Sequence, residues 1–148
     1  MKNIILWLLL ALPISISAQP EMPAILSLEQ RGELHDDWLS ERAKTILPML
    51  MSREGIEMWI IISREYNEDP VLNTMLPSKW MGARRTTMLV IYDEGEGGDL
   101  ETLACARYDV GDVFKKAWDP EKQPDQWAAL LEIIEERNPA NIAVTRRA

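Results

Sequence analysis

One continuous apolar run, Met58-Trp-Ile-Ile-Ile62, constrains the fold of this chain more than any other segment. The run is rich in β-forming residues, and successive side chains of a strand point to opposite faces of a sheet. Because every side chain in the run is apolar, both faces of the strand require cover from helices or neighbouring structure. The run therefore predicts a central strand of a layered fold.

Two further β-prone runs predict a hairpin. The first spans about Thr86 to Tyr92 and the second about Leu100 to Tyr108. The polar, glycine-rich stretch between them is typical of a tight connection between antiparallel strands. A fourth short strand is expected from Asn141, close to the end of the sequence.

Helix signals precede the first strand. Ser27 followed by Gln30 has the form of a capping box, and apolar residues then recur at helical spacing. Gly55 is a natural C-terminal cap. Pro48 leaves two alternatives open, a kinked helix or a helix that ends near Ile46 with a short turn up to Gly55.

A second helix is predicted between Asp125 and Asn138, where Pro139 ends it. Its expected apolar face contains Trp127, Leu130, Leu131 and Ile134. The long polar stretch 64–83 predicts a structured loop with a short helix around residues 71–75. This order of elements predicts an α/β fold, with a mixed β-sheet that has a central hairpin flanked by helices.

The first 18 of the 148 residues have the layout of a cleavable signal peptide: basic Lys2, a short apolar core, and a small residue, Ala18, at the cut. A membrane anchor needs about 20 apolar residues, and the run here is shorter and broken by Pro13. We therefore expect export to the periplasm or the medium, with no stable membrane anchor after cleavage. The mature domain is expected to span residues 19–148 and to be incomplete at its C-terminus.

Charge and cysteine content exclude several classes of protein. Loss of Lys2 with the leader leaves 15 basic and 24 acidic residues, a net charge of −9 that repels nucleic acid. Cys105 is the only cysteine in a chain expected in an oxidising compartment, so an intrachain disulfide is impossible. Between two alanines in an apolar strand, Cys105 is expected to pack as a small hydrophobic side chain.

No catalytic, cofactor-binding or metal-binding residue is assigned from the sequence. His35-Asp36-Asp37 does not converge on one ion if it lies on a helix, and the chain has no second histidine. The acidic turn that starts at Asp93 lacks calcium ligands at the required positions, since Gly95 and Gly97 occupy two of them.

A contact surface is the remaining hypothesis. It comprises a polar loop directly after the first strand, where α/β proteins often place functional groups, and two tryptophans in loops. Its members are Arg64, Glu65, Tyr66, Asn67, Asp69, Trp80 and Trp118. The alternative is that Arg64 pairs with nearby carboxylates and simply holds the loop in place.

Five stretches in order carry a resemblance to a known family. They are Glu54-Gly-Ile-Glu-Met-Trp-Ile-Ile-Ile62, Arg64-Glu-Tyr-Asn-Glu-Asp-Pro70, Ala83-Arg-Arg-Thr-Thr86, Ala106-Arg-Tyr-Asp-Val-Gly111 and Trp118-Asp-Pro-Glu-Lys-Gln-Pro-Asp-Gln-Trp127. Together they resemble the N-terminal domain of exported bacterial proteins of the Xaa-Pro aminopeptidase, prolidase and creatinase family.

The resemblance implies a non-catalytic accessory domain of a metallopeptidase. In such a protein, two divalent metal ions sit in a following pita-bread catalytic domain, which is absent from these residues. The implied partners are that catalytic domain, a second copy in a homodimer, and the peptide substrate of the whole enzyme. A stand-alone exported binding module is the alternative.

Overall fold

The computed structural model of this chain describes residues 25–95 and 99–145. The predicted signal peptide, residues 1–18, lies outside the described residues, as does the glycine-rich part of the hairpin connection at 96–98.

Five strands form one mixed sheet. They are β1 (Met58–Arg64), β2 (Thr86–Tyr92), β3 (Glu101–Ala104), β4 (Lys115–Lys116) and β5 (Ile142–Val144), in the spatial order β4-β3-β2-β1-β5. Strand β2 is antiparallel to both β1 and β3, whereas β5 is parallel to β1 and β4 is parallel to β3. The predicted mixed sheet with a hairpin at its centre is confirmed.

The strand predictions differ from the structure in three details. The middle strand is β2, so β1 is interior but not central. Strand β3 ends at Ala104 instead of Tyr108, because the chain bends after Cys105. The N–H of Cys105 still donates to the carbonyl of Met88 on β2 at 2.9 Å. The chain then forms β4, a strand of two lysines. Its sequence has no apolar alternation from which a strand could be predicted.

The helices begin and end at the predicted caps. Helix α1 (Leu28–Glu41) starts with a complete capping box, in which the Gln30 N–H donates to Ser27 Oγ at 3.2 Å. A π-helical turn (Arg42–Ile46) leads directly into α2 (Leu47–Glu54), which ends at Gly55 in the left-handed conformation.

Helical structure therefore continues past Pro48, and the alternative of a turn from Ile46 to Gly55 is wrong. Pro48 is the second residue of α2 and has no N–H, so it donates no hydrogen bond to the preceding helical turn. The wider π turn accommodates it, with the N–H of Leu47 bonded to the carbonyl of Arg42, five residues back.

Two more helices complete the fold. The short α3 (Pro70–Met75) is capped by Asp69, and α4 (Gln126–Arg137) is capped by Asp125 and ends at Asn138 in the left-handed conformation. Both agree with the predicted positions. No helix in the described ranges is long and apolar enough to cross a membrane.

Two apolar clusters cover the two faces of the sheet, as the apolar run Met58–Ile62 in β1 requires. One joins Ile61 and Leu89 to side chains of α1, α2 and α3, including Leu39. The other joins Ile60 and Val90 to α4. Cys105 is fully buried in this second cluster, which confirms its predicted packing role.

The predicted apolar face of α4 is partly wrong. Trp127 and Leu131 are exposed, whereas Ala129 and Ile133 are buried beside Leu130. The buried stripe is therefore rotated around the helix relative to the predicted one. Trp38 on α1 is also exposed.

Candidate functional site

The loop that follows β1 is held by hydrogen bonds to its backbone. The N–H of Asp69 donates to Ser63 Oγ at 3.0 Å, and the N–H of Tyr66 donates to Glu68 Oε1 at 3.2 Å. The Glu65 N–H donates to the carbonyl of Arg85 at 2.7 Å, and the Glu65 carboxylate accepts from the Arg85 N–H at 3.3 Å. The loop is thereby tied to the start of β2.

Arg64 does not hold this loop by ion pairing. Among the described residues, no carboxylate oxygen lies within 4.0 Å of its guanidinium group. The carboxylates of Glu65 and Glu68 accept hydrogen bonds from the backbone N–H groups of Arg85 and Tyr66, and these contacts hold the loop. The Asn67 N–H donates to the carbonyl of Arg64 at 2.9 Å, which closes the turn.

Trp80 belongs to an aromatic and arginine stack. Its ring lies 5.7 Å from that of Tyr108 at an interplanar angle of 57°. The guanidinium carbon of Arg84 lies 4.8 Å from the Trp80 ring centroid and 5.9 Å from that of Tyr108. These cation–π contacts restrict the orientation of the Arg84 side chain.

Trp118 forms a second stack nearby. Its indole Nε1–H donates to the carbonyl of Gln123 at 2.7 Å, and its ring packs on the cluster beneath α4. The guanidinium carbon of Arg107 lies 5.4 Å from the ring centroid. Both predicted loop tryptophans are therefore partly buried, and each one contacts an arginine.

A cleft of about 340 Å³ lies at the end of the central hairpin. It is lined by Arg84, Arg85, Thr86, Ala106, Arg107, Tyr108, Trp118 and Gln126. We call it the arginine cleft. The side-chain amide of Gln126 donates to the carbonyls of Thr86 at 3.1 Å and Cys105 at 2.7 Å, which joins the start of α4 to the hairpin.

The predicted contact residues are divided around this cleft. Trp118 lines it, and Trp80 contacts Arg84 but lines a separate cavity that also includes Asp36. The loop residues Arg64, Glu65, Tyr66, Asn67 and Asp69 do not line the cleft, although Glu65 is hydrogen-bonded to the backbone of Arg85. The loop thus supports one wall of the cleft.

Sequence reasoning missed Arg84, Arg85, Arg107 and Tyr108 as site residues, although the signal was present. Arg84 and Arg85 immediately precede β2, and Arg107 and Tyr108 follow β3. In an antiparallel hairpin, the start of the first strand and the end of the second lie side by side. The observed register, Leu89 opposite Ala104, places these two dipeptides at the same end.

The electrostatics of the cleft contrast with those of the whole chain. Three arginines line it and no acidic residue does, while the net charge of the chain is −8. Within the described part of the chain, the guanidinium groups of Arg84, Arg85 and Arg107 have no hydrogen-bond acceptor and no carboxylate within 4.0 Å. The backbone of Arg85 is left-handed, with φ of 52°, an uncommon conformation outside glycine.

Asp36, from the His35-Asp36-Asp37 cluster on α1, has a structural role. Burial raises the pKa of Asp36, but hydrogen bonds from the N–H and Oγ–H of Ser78 and from His35 outweigh burial and lower it overall. Asp36 Oδ1 accepts from the Ser78 N–H at 2.6 Å, which joins α1 to the loop after α3. No group of three His, Cys, Asp or Glu side chains within 25–95 and 99–145 is arranged to hold a metal ion.

Comparisons with known proteins do not assign this chain to a family. No protein-family model, no curated protein and no solved structure matches it.

Proposed function

We propose that this chain is the non-catalytic N-terminal domain of an exported metallopeptidase of the Xaa-Pro aminopeptidase, prolidase and creatinase type. Its role there is to shape access to the active site and to contribute to dimer contacts. The proposal is supported by the ordered set of resembling stretches in the sequence, and a mixed sheet flanked by helices is compatible with it.

The edge strand β5 is the observation that carries this proposal. It pairs with β1 on one side, and no other described strand pairs with its second edge. Its side chains Ile142 and Val144 are 43% and 56% exposed. An apolar, unpaired edge promotes association, and proteins usually cover or charge such edges. A further domain or a second copy packed against β5 provides that cover.

Within residues 25–95 and 99–145, no group of three His, Cys, Asp or Glu side chains is arranged to hold a metal ion. By the resemblance, the two divalent metal ions of such an enzyme would lie in a separate catalytic domain and would supply the activated water for peptide hydrolysis. No residue of this chain is assigned a catalytic step.

A stand-alone exported binding module is the second candidate function. The arginine cleft is compatible with this role, because residues of this chain line it. Ligand binding in the cleft requires no catalytic domain.

The mass and activity of the native exported protein distinguish the two candidates. We expect immunocaptured protein from the source cells to have an intact mass far above 17.0 kDa and to hydrolyse Xaa-Pro peptides when Mn²⁺ is added. A chelator should abolish the hydrolysis. A mass slightly below 17.0 kDa, without peptidase activity, would reject the accessory-domain proposal in favour of the binding module.

A further inference from the structure

We propose that the arginine cleft is a binding site for a small organic anion, with a carboxylate or phosphate headgroup on an apolar or aromatic body. Arg84, Arg85 and Arg107 bind the headgroup, and the rings of Tyr108 and Trp118 contact the body. The inference does not depend on the proposed function, since the cleft is the same in an accessory domain and in a stand-alone module.

Positive charge is concentrated in the arginine cleft. Three arginines line it without an acidic lining residue, in a chain whose acidic residues outnumber its basic ones by 24 to 16. The Glu65 carboxylate of the adjoining loop accepts a hydrogen bond from the Arg85 N–H. Positive charges that line one cleft without an acidic residue among them attract an anion.

Aromatic contacts orient two of the guanidinium groups. Arg84 stacks on Trp80 and Tyr108, and Arg107 stacks on Trp118. Stacking uses the flat faces of the groups and leaves the N–H donors at their edges available for a ligand. Side chains that are already ordered lose less conformational entropy on binding.

The size and lining of the cleft define the class of ligand. A volume of about 340 Å³ holds a small molecule, and the aromatic rings provide apolar contact area. The planar fork of arginine matches the paired oxygens of both carboxylate and phosphate. Both headgroups therefore belong to the proposal, and the experiment distinguishes them.

Isothermal titration of the complete exported protein tests this site with four probes: benzoate, phenyl phosphate, inorganic phosphate and the uncharged benzamide. We expect saturable binding of benzoate or phenyl phosphate that weakens at high salt, and much weaker binding of benzamide. Preference between benzoate and phenyl phosphate identifies the headgroup. Inorganic phosphate measures the contribution of the headgroup without the ring.

Substitutions locate the binding. Arg84→Gln and Arg107→Gln should each weaken binding by roughly ten-fold or more, as expected for the loss of charged hydrogen bonds. Arg107→Lys keeps the charge but loses the planar fork, so its effect should be intermediate. The matched control Arg53→Gln removes the same charge from a surface residue that pairs with Glu54, and it should change affinity by less than about two-fold.

Three results would overturn the proposal. They are the absence of saturable binding of any anionic probe up to about 10 mM, equal loss of affinity in Arg53→Gln and Arg84→Gln, and benzamide binding as tight as that of benzoate. Thermal unfolding of each variant establishes that it is folded. Because Arg84 and Arg107 are exposed, their substitution should leave the fold intact.

Discussion

At the scale of single residues, many carboxylates of this acidic protein accept hydrogen bonds from backbone N–H groups. Asp69 and Asp125 cap helices. Asp119 accepts from the N–H of Glu121 in a turn, and Asp109 accepts from the N–H of Lys116 at β4. These contacts stabilise loops and helix starts where backbone donors lack partners. Part of the negative charge is therefore structural.

The thiol of Cys105 should be unreactive in the folded protein. Burial raises its pKa to about 11, and it is fully enclosed beneath α4. We expect almost no reaction with a chromogenic disulfide reagent at pH 8, and complete reaction after unfolding in urea. Rapid labelling of the native protein would contradict the buried position.

The same pKa predicts a loss of stability in alkali. The unfolded thiol ionises near its ordinary pKa of 9.0, while the folded thiol stays neutral up to about 11. Stability from this group is therefore complete below pH 9 and decreases as the pH rises from 9 to 11. Cys105→Ala should remove this part of the pH dependence in urea titrations.

At the scale of elements, helix α4 is connected to the hairpin by one partly buried ion pair. The Arg137 guanidinium donates to both carboxylate oxygens of Glu101 on β3, with Nη2 at 2.7 Å from Oε1. The hydrogen bond to Glu101 raises the pKa of Arg137, and Coulombic attraction adds to this effect. The contact fixes the C-terminal end of α4 against the sheet.

Removal of this contact should destabilise the fold. We expect Glu101→Gln to lower the free energy of unfolding by about 1–3 kcal/mol, because the Arg137 charge, only 16% exposed, loses its main partner. The matched control is Glu136→Gln, which removes a 77% exposed partner of the same arginine. That change should stay within about 0.5 kcal/mol in urea unfolding. Equal losses of unfolding free energy in the two variants would show that the partly buried pair stabilises the fold no more than the exposed one.

At the scale of the whole molecule, the sheet has one edge of charged residues and one of apolar residues. Strand β4 consists of two exposed lysines, which oppose pairing with another chain. Strand β5 at the opposite edge presents Ile142 and Val144. Association through the sheet is therefore expected at β5 and not at β4.

Substitution at this edge should change self-association without loss of the fold. For the chain without residues 1–18, we expect concentration-dependent association in sedimentation experiments and its reduction in Val144→Lys. The control Leu131→Lys alters an exposed apolar side chain on α4, away from the edge, and should leave association unchanged. A monomeric parent chain would contradict the apolar-edge argument and favour a self-sufficient module.

Local signals in the sequence determined most of the secondary structure. The capping box at Ser27, the left-handed glycine at Gly55 and the caps of α4 all occur where they were predicted, because a cap depends on residues within one helical turn. The bounds of β2 and the cover of both faces of β1 also followed from short apolar runs.

Only the tertiary structure decided the features that depend on distant contacts. The early end of β3, the return of the chain as β4 and the burial of Ile133 in place of Trp127 depend on how elements pack. The arginine cleft needs residues 84–85 and 107–108 side by side, and hairpin pairing brings them together. A sequence pattern determines which face of an element is apolar, but the fold decides which distant side chains meet.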